Sequence, residues 1–299
     1  MNASIARRLS LVAAMALILS LDMPPVLAGS TLSSSPAPLP AVPAWVEQPP
    51  GVVVQPAAPA PHPALLPGGS TISGTLVSND TWGPGLITVT GDISISAGVV
   101  ITVVLGTTVQ MATVDGANLG IDATRIEIIV NGALRVNGAT FTSQRVPPAC
   151  GDWYGIRFRP FSGGWLNQAT VQYGVLGVSI DSASPSLMDS TIRSMCGDAG
   201  TNGGNGAPGN PGGPGGNGTA GGPAYGIYVT GSSTSQIQHN TVYSITGGAG
   251  GAGGNGGDGS SGLLNGANGG PGGNGAAGGQ AIGIGVMNNA APTLVQNTV

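Results

Sequence analysis

Acid–base chemistry needs a carboxylate and an imidazole within reach of each other, and this chain offers one such pairing. Asp189 lies in Leu187-Met-Asp-Ser-Thr-Ile192 and His239 in Ile237-Gln-His-Asn-Thr-Val242, at the same place in two copies of one phrase. A third copy, Leu294-Val-Gln-Asn-Thr-Val299, puts Gln296 there. If the copies stack, Asp189, His239 and Gln296 form an outward column at the strand spacing of about 4.8 Å. That makes Asp189 and His239 catalytic candidates, with a plain surface hydrogen bond as the alternative. The other acids between Thr71 and Val299, scattered from Asp80 to Asp258, form no close pair within one strand. A second constellation is Trp153, Tyr154 and Trp165, with Arg157 and Arg159 flanking Phe158. Aromatic faces and guanidinium groups suit carbohydrate contacts. Equally, the rings could fill and cap a core while the arginines stay solvated.

What would position these residues is a repeat. The phrase occurs twice more, as Leu166-Asn-Gln-Ala-Thr-Val171 and Val136-Asn-Gly-Ala-Thr-Phe141. The copies at 187 and 237 are 50 residues apart, and removing the 26 residues 197–222 leaves 24. Those at 237 and 294 are 57 apart, and removing the 33 residues 247–279 again leaves 24. Both glycine runs are therefore insertions at one point of a repeating coil, and the chain reads as an all-β solenoid. Ile237 and Val242 should face inward, Gln238 and Thr241 outward. Asn240 should sit at a bend in a left-handed conformation and bond along the stack to Asn297. Thr140, Thr170, Thr191, Thr241 and Thr298 should form an outward column, which opens ice binding as one function to consider.

Upstream, short alternating strands are punctuated by Gly or Asn: Ile87-Thr-Val89, Asp92-Ile-Ser-Ile95, Val99 to Leu105, Thr108 to Met111, Ile126 to Val130, and Ala133 to Val136. TISGTLVSNDTW, ITVTGDISISAGVVITVVLGTTVQM, IIVNGALRVNGATFTS and GDWYGIRF resemble the opening of secreted right-handed parallel β-helix proteins of the pectate-lyase-like superfamily. The resemblance spans roughly Thr71 to Val299. It implies a fold and leaves activity open, because this fold carries lyases, hydrolases, adhesins and passive spacers. The fixed Asp-His and paired-Asp phrases of pectate lyases and polygalacturonases do not occur here.

Glycine recurs every third residue from 197 to 221 and from 247 to 262, then restarts one position out of step at 266 after Leu263-Leu-Asn265. The break reads as a hairpin tip. A three-residue extended helix with glycine along one edge lets a neighbouring chain lie close. The insertions are thus expected as polyglycine-II-like arms in a bundle, with flexible disorder as the alternative. Gly253 to Ser261 fits the polar positions of a calcium-binding nonapeptide, but Ser260 replaces its apolar residue and no second Asp copy follows. No metal or cofactor is expected.

Composition bounds the remainder. Eight arginines, no lysine and a net charge of −4 argue against nucleic-acid binding. Arg7-Arg8, the apolar run Leu9 to Leu21 and Pro24 to Ala28 read as a secretory signal over 1–28, too short in its apolar part for a membrane span. Residues 29–70 form a spacer, with eleven prolines between Ser35 and Pro67. Export would favour a disulfide between Cys150 and Cys196, two free thiols being the alternative. Closing that loop would stabilise by roughly 4 kcal/mol in the chain-entropy model. The chain stops at Val299 in the middle of a coil, which reads as a piece of something longer. The expected function is a secreted or cell-surface structural or adhesive module, nonenzymatic, whose partner is an extracellular polysaccharide or a surface protein. A carbohydrate-active or carbohydrate-binding β-helix with its active coils downstream, and an ice-binding protein, are the alternatives.

Overall fold

The protein is seen in a computed structural model that describes residues 64–261 and 267–299. The signal read at 1–28, the spacer up to residue 63 and the break at Leu263-Leu-Asn265 lie outside the described residues.

Period-two alternation writes the strands. In Gly155–Phe158, Ile156 and Phe158 are fully buried and Arg157 points outward. In Leu176–Asp181, Val178 and Ile180 are buried while Ser179 and Asp181 point outward. The inward positions stack from coil to coil, Ile128 on Ile156, then Val178, then Ile227. Each such aliphatic contributes about 1.5–3 kcal/mol on burial, so these columns carry the fold.

Among the described residues the strands form two all-parallel sheets, of eight and twelve strands. The larger sheet is folded at a corner. Ser70–Leu76 and Gly85–Ile95 pass through that corner unbroken, and beyond it the sheet divides into two ladders. Face one contains Glu127–Val130, Gly155–Phe158, Leu176–Asp181, Ala224–Thr230 and Ala281–Val286. Face two is the eight-stranded sheet, from Ala64–Leu66 through Ala133–Asn137, Gly163–Asn167, Ser186–Met188 and Gln236–Gln238 to Thr293–Val295. Face three contains Thr107–Met111, Thr140–Ser143, Thr170–Gln172, Thr191–Cys196 and Thr241–Thr246. The chain visits the faces in turn, which makes a parallel β-helix. The first strand among the described residues, Ala64–Leu66, lies within the stretch read as spacer and pairs with Asp80–Trp82.

The five phrase copies align in register, Leu166 on Val136 and Leu187, Leu187 on Ile237, Ile237 on Leu294. Thr140, Thr170, Thr191, Thr241 and Thr298 make one column, extended by Thr108. Ile237 and Val242 are buried, and Thr241 is exposed. One expectation is corrected. The left-handed residue is the one before Asn240: His239 has φ 54°, and Gln168, Asp189 and Gln296 have 51°, 50° and 48°. The bend places its left-handed residue where a side chain can project into water. Asn240 instead turns inward, and its amide supplies both a donor and an acceptor to peptide groups that the bend leaves unpaired.

Both glycine runs leave the corner between faces three and one. Residues 197–209 and 247–261 run out, and residues 210–222 and 267–279 return. The outgoing arms bond in parallel: Gly197, Gly200, Gly203 and Gly206 donate N–H groups to the carbonyls of Thr246, Ala249, Ala252 and Asn255 at 2.7–2.9 Å. The returning arms do the same, Gly212, Gly215, Gly218 and Gly221 donating to Asn268, Pro271, Asn274 and Ala277. Antiparallel bonds join the pairs, for example Gly216 to Gly204, Gly254 to Gly216 and Gly273 to Gly254. The runs are therefore an ordered four-arm bundle. Side chains add stitches that keep the core's sequence offsets: Asn202 Oδ1 accepts from Ala252 N–H across 50 residues, and Asn217 Oδ1 accepts from Asn274 N–H across 57. The bundle thus extends the stacking of the coils. Near the tip, Ala267 N–H donates to the Ser260 carbonyl at 2.9 Å.

Neighbour contact explains which glycines are required. Arm 247–261 touches all three others, and a Cβ at Gly251 or Gly254 would lie 1.9 or 2.0 Å from a carbonyl oxygen. In arm 267–279 the excluded positions are Gly270, Gly273 and Gly279, where the nearest carbonyl would lie 1.9 Å away. The strictly periodic column there is less crowded: the nearest atom would lie 3.3 Å away at Gly269 and Gly278 and 3.6–3.7 Å away at Gly272 and Gly275. The contact edge of that arm is one residue away from the periodicity that catches the eye.

Candidate functional site

Face one carries a groove of 430 Å³. Its floor follows from the strand alternation: Arg157 pairs with Ser179, Ser179 with Tyr228, and Asp181 with Thr230, all on the outward side. Tyr154 and Arg159 lie at the strand ends, while Ile121, Asp198 and Pro223 wall the groove from the corner. Tyr225 and Tyr228 contribute two tilted rings with centroids 4.7 Å apart. Of the candidate carbohydrate contacts, Tyr154, Arg157 and Arg159 are thus brought together. Burial pushes the Tyr154 phenol above its ordinary pKa, Arg157 opposing and Glu127 reinforcing the shift.

The two tryptophans go elsewhere. Trp153 is fully buried and its Nε1–H donates to the Gln172 carbonyl at 2.8 Å, so it fills the core and faces no ligand. Trp165 is on face two, 39% exposed, with the Arg135 guanidinium 4.8 Å from its ring centroid. The arginines are not simply solvated. Arg157 donates to Glu127 Oε2 at 2.5 Å with only 11% of its side chain exposed, and Arg159 lies 3.7 Å from Asp181.

An acidic cluster behind the groove was invisible in the sequence. Asp92 and Glu127 precede Ile93 and Ile128, which are paired across adjacent strands, so the register brings the two acids together. Asp92 Oδ1 accepts from Glu127 N–H and its Oδ2 from Leu119 and Gly120 N–H, all at 2.6 Å. Glu127 Oε1 accepts from Ile121 and Asp122 N–H at 2.7 Å. Burial pushes the Asp92 carboxyl up, and these N–H donors only partly offset it. Arg125 bridges Asp122 to Asp198 at the root of the first arm. Asp198 holds the Arg125 guanidinium above its usual pKa. Together these bonds pin the excursion between Met111 and Glu127 against face one. Spacing alone could not have found the cluster, because its members are joined through strand register.

Asp189 and His239 are neighbours on the bend between faces two and three. His239 Nδ1 lies 3.7 Å from Asp189 Oδ1, and His239 Nε2 is 2.7 Å from Gln296 Oε1. Both acid and imidazole side chains are about half exposed, at 54% and 48%. The expected column therefore exists, on an open turn remote from the face-one groove. Cys150 and Cys196 form a disulfide that ties the segment before Gly155 to the root of the first arm. A disulfide suits an oxidising compartment. Among the described residues no three His, Cys, Asp or Glu gather as metal ligands. Compared with known proteins, the chain matches no family model, no curated protein and no solved structure.

Proposed function

We propose that this chain is a secreted or cell-surface structural and adhesive module, nonenzymatic, built on a right-handed parallel β-helix of the pectate-lyase-like kind. The observation that carries the reading is the four-arm bundle. At ~3.1 Å per residue, arm 247–261 makes a rod of about 45 Å whose order comes from backbone bonds and whose triplets are largely glycine. Such a rod offers reach and a regular surface and almost no reactive side chains. The buried carboxylates support the same reading: Asp92 and Glu127 are consumed by amides and Arg157. Export is supported by the Cys150–Cys196 disulfide and by the leader's charge order.

Beads coated with the purified chain should attach to polysaccharide or protein films, and the chain should release no sugar product from pectin or polygalacturonate. Turnover of either polymer would overturn the nonenzymatic reading, and failure to attach to any film would overturn the adhesive one. The groove on face one favours a second reading, carbohydrate binding with Tyr154, Arg157, Arg159, Tyr225 and Tyr228 as contacts. On that reading Tyr228→Ala should weaken retention on a polygalacturonate matrix.

A further inference from the structure

On the turn from face one to face two, Phe161 is 98% exposed. Its φ is 67°, a left-handed backbone that a bulky side chain rarely adopts. The turns of the following coils place Ser182, Gly231 and Asn288 in that conformation, at φ 49°, 67° and 52°. Those residues tolerate it through a short side chain or none. Phe161 has no such compensation, and it is held there by its N–H bond to the Ser182 carbonyl at 3.1 Å and by Ser162, whose N–H and Oγ both donate to the Arg159 carbonyl. A strained backbone that presents an aromatic ring to water is a reason to look for a ligand.

The ring stands between two shallow troughs that run along the coil stack. Downstream, a trough of 520 Å³ is lined by Pro160, Ser162, Ser182, Ser184 and Ser232 beside Phe161. Upstream, one of 470 Å³ is lined by Gly98, Val100, Asn131 and Gly132 beside the same ring. Among the described residues, no ionisable side chain lines either trough. The downstream hydroxyls are set in rows by the coil register. Ser184 Oγ and Thr234 Oγ1 are 3.0 Å apart, and Ser182 Oγ accepts from Ser232 N–H at 3.4 Å.

We propose that Phe161 is the stacking platform of a site for a neutral, linear glycan lying parallel to the coil axis. A pyranose has an apolar C–H face that covers an aromatic ring and an equatorial rim of hydroxyls that serine and asparagine can bond. The rows of polar groups recur at about 4.8 Å, close to the length of one sugar unit, so successive units meet equivalent contacts. Neutrality follows from the uncharged lining, which sets this site apart from the arginine-bearing groove on face one. An apolar peptide anchor would need an enclosing pocket, whereas this ring protrudes. The site deepens the adhesive function proposed above and rests on it, by naming the class of partner.

Retention of the intact chain on insoluble cellulose, chitin, mannan and β-1,3-glucan, with immobilised polygalacturonate as the acidic probe, tests the site. The parent should be retained on at least one neutral matrix. Phe161→Ala should lose at least about tenfold of that affinity, and Phe161→Trp should keep it. Thermal unfolding of Phe161→Ala should match or exceed the parent's, which separates lost binding from lost folding. Retention on none of the neutral matrices, or equal retention of Phe161→Ala, overturns the site. So does a Phe161→Ala defect confined to protein-coated films. A chain that coats beads and attaches to films yet ignores every neutral matrix loses this site and keeps its adhesive function, while sugar release from pectin removes the nonenzymatic function whatever Phe161 does.

Discussion

Asn240 Nδ2 donates to Asn297 Oδ1 at 3.0 Å, one coil further along the stack. The same nitrogen reaches the Leu187 carbonyl at 3.0 Å, and Asn240 Oδ1 accepts the Ser190 N–H at 3.0 Å. A single buried amide thus joins three coils. Asn240→Ala strands a buried N–H and a carbonyl, each worth about 1–3 kcal/mol when left unpaired. The variant should lose about 2–3 kcal/mol of stability, read from its denaturant midpoint. Asn240→Ser should lose less, because Ser190 fills the same place one coil earlier, accepting from Ala169 N–H and donating to Met188. Equal midpoints for parent and Asn240→Ala would remove the amide column from the account.

The arms offer a paired test of contact. A Cβ at Gly251 would lie 1.9 Å from the Thr201 carbonyl, whereas at Gly275 nothing comes nearer than 3.7 Å. Gly251→Ala should therefore speed amide hydrogen exchange in residues 197–209 as well as in its own arm, and Gly275→Ala should leave exchange unchanged. Similar behaviour of the two variants would contradict the bundle's arrangement.

Joining Thr246 directly to Gln280 removes the second arm pair. The coil should survive, because Gly247 and Gly279 lie side by side and the chain leaves and rejoins the helix at neighbouring points. The melting temperature of the β-helix should change little. The remaining arms should lose exchange protection, since Gly197, Gly200, Gly203 and Gly206 donate only into the deleted segment or its root. Loss of the entire fold on deletion would mean that the arms are integral to the coil.

Burial pushes the Asp122 carboxyl up, but the Thr124 hydroxyl and amide and the Arg125 guanidinium outweigh it and hold the pKa below 3.8. A carboxylate held low in the folded state contributes stability above its unfolded pKa, and that contribution is lost as the pH falls through the folded value. Asp92, held high by burial, acts in the opposite sense: stability falls as the pH rises from 3.8 to its folded value. An NMR titration should place the Asp122 midpoint below 3.8, with the shift of the Thr124 amide, which donates to Asp122 Oδ1, following it. A midpoint above that of a free aspartate would show that the Thr124 and Arg125 bonds do not hold this carboxylate.

Phe161 should trade stability for display. Phe161→Gly removes a bulky side chain from a φ of 67° and should raise stability by about 1 kcal/mol while abolishing retention on neutral glycans. A stability loss would show that the ring packs against the fold.

Periodicity carries a great deal of this protein. The recurrence of Ile237-Gln-His-Asn-Thr-Val242, corrected for the glycine runs, determines the coil, the inward residues and the Asp189, His239 and Gln296 column. All of these depend on repeat length and alternation, which a linear string records. The ordered arms were legible for the same reason, because glycine at every third residue is a statement about close approach. Tertiary structure decided what depends on register between distant strands or on an exception to the repeat. It brought Asp92 to Glu127 and Arg157, sent Trp153 into the core and Trp165 to another face, and moved the contact edge of arm 267–279 by one residue. It turned Asn240 inward, because the bend needed its left-handed residue in water and an amide beneath it. Phe161 breaks the pattern of its corner, and only the backbone angle shows that the break is held in place.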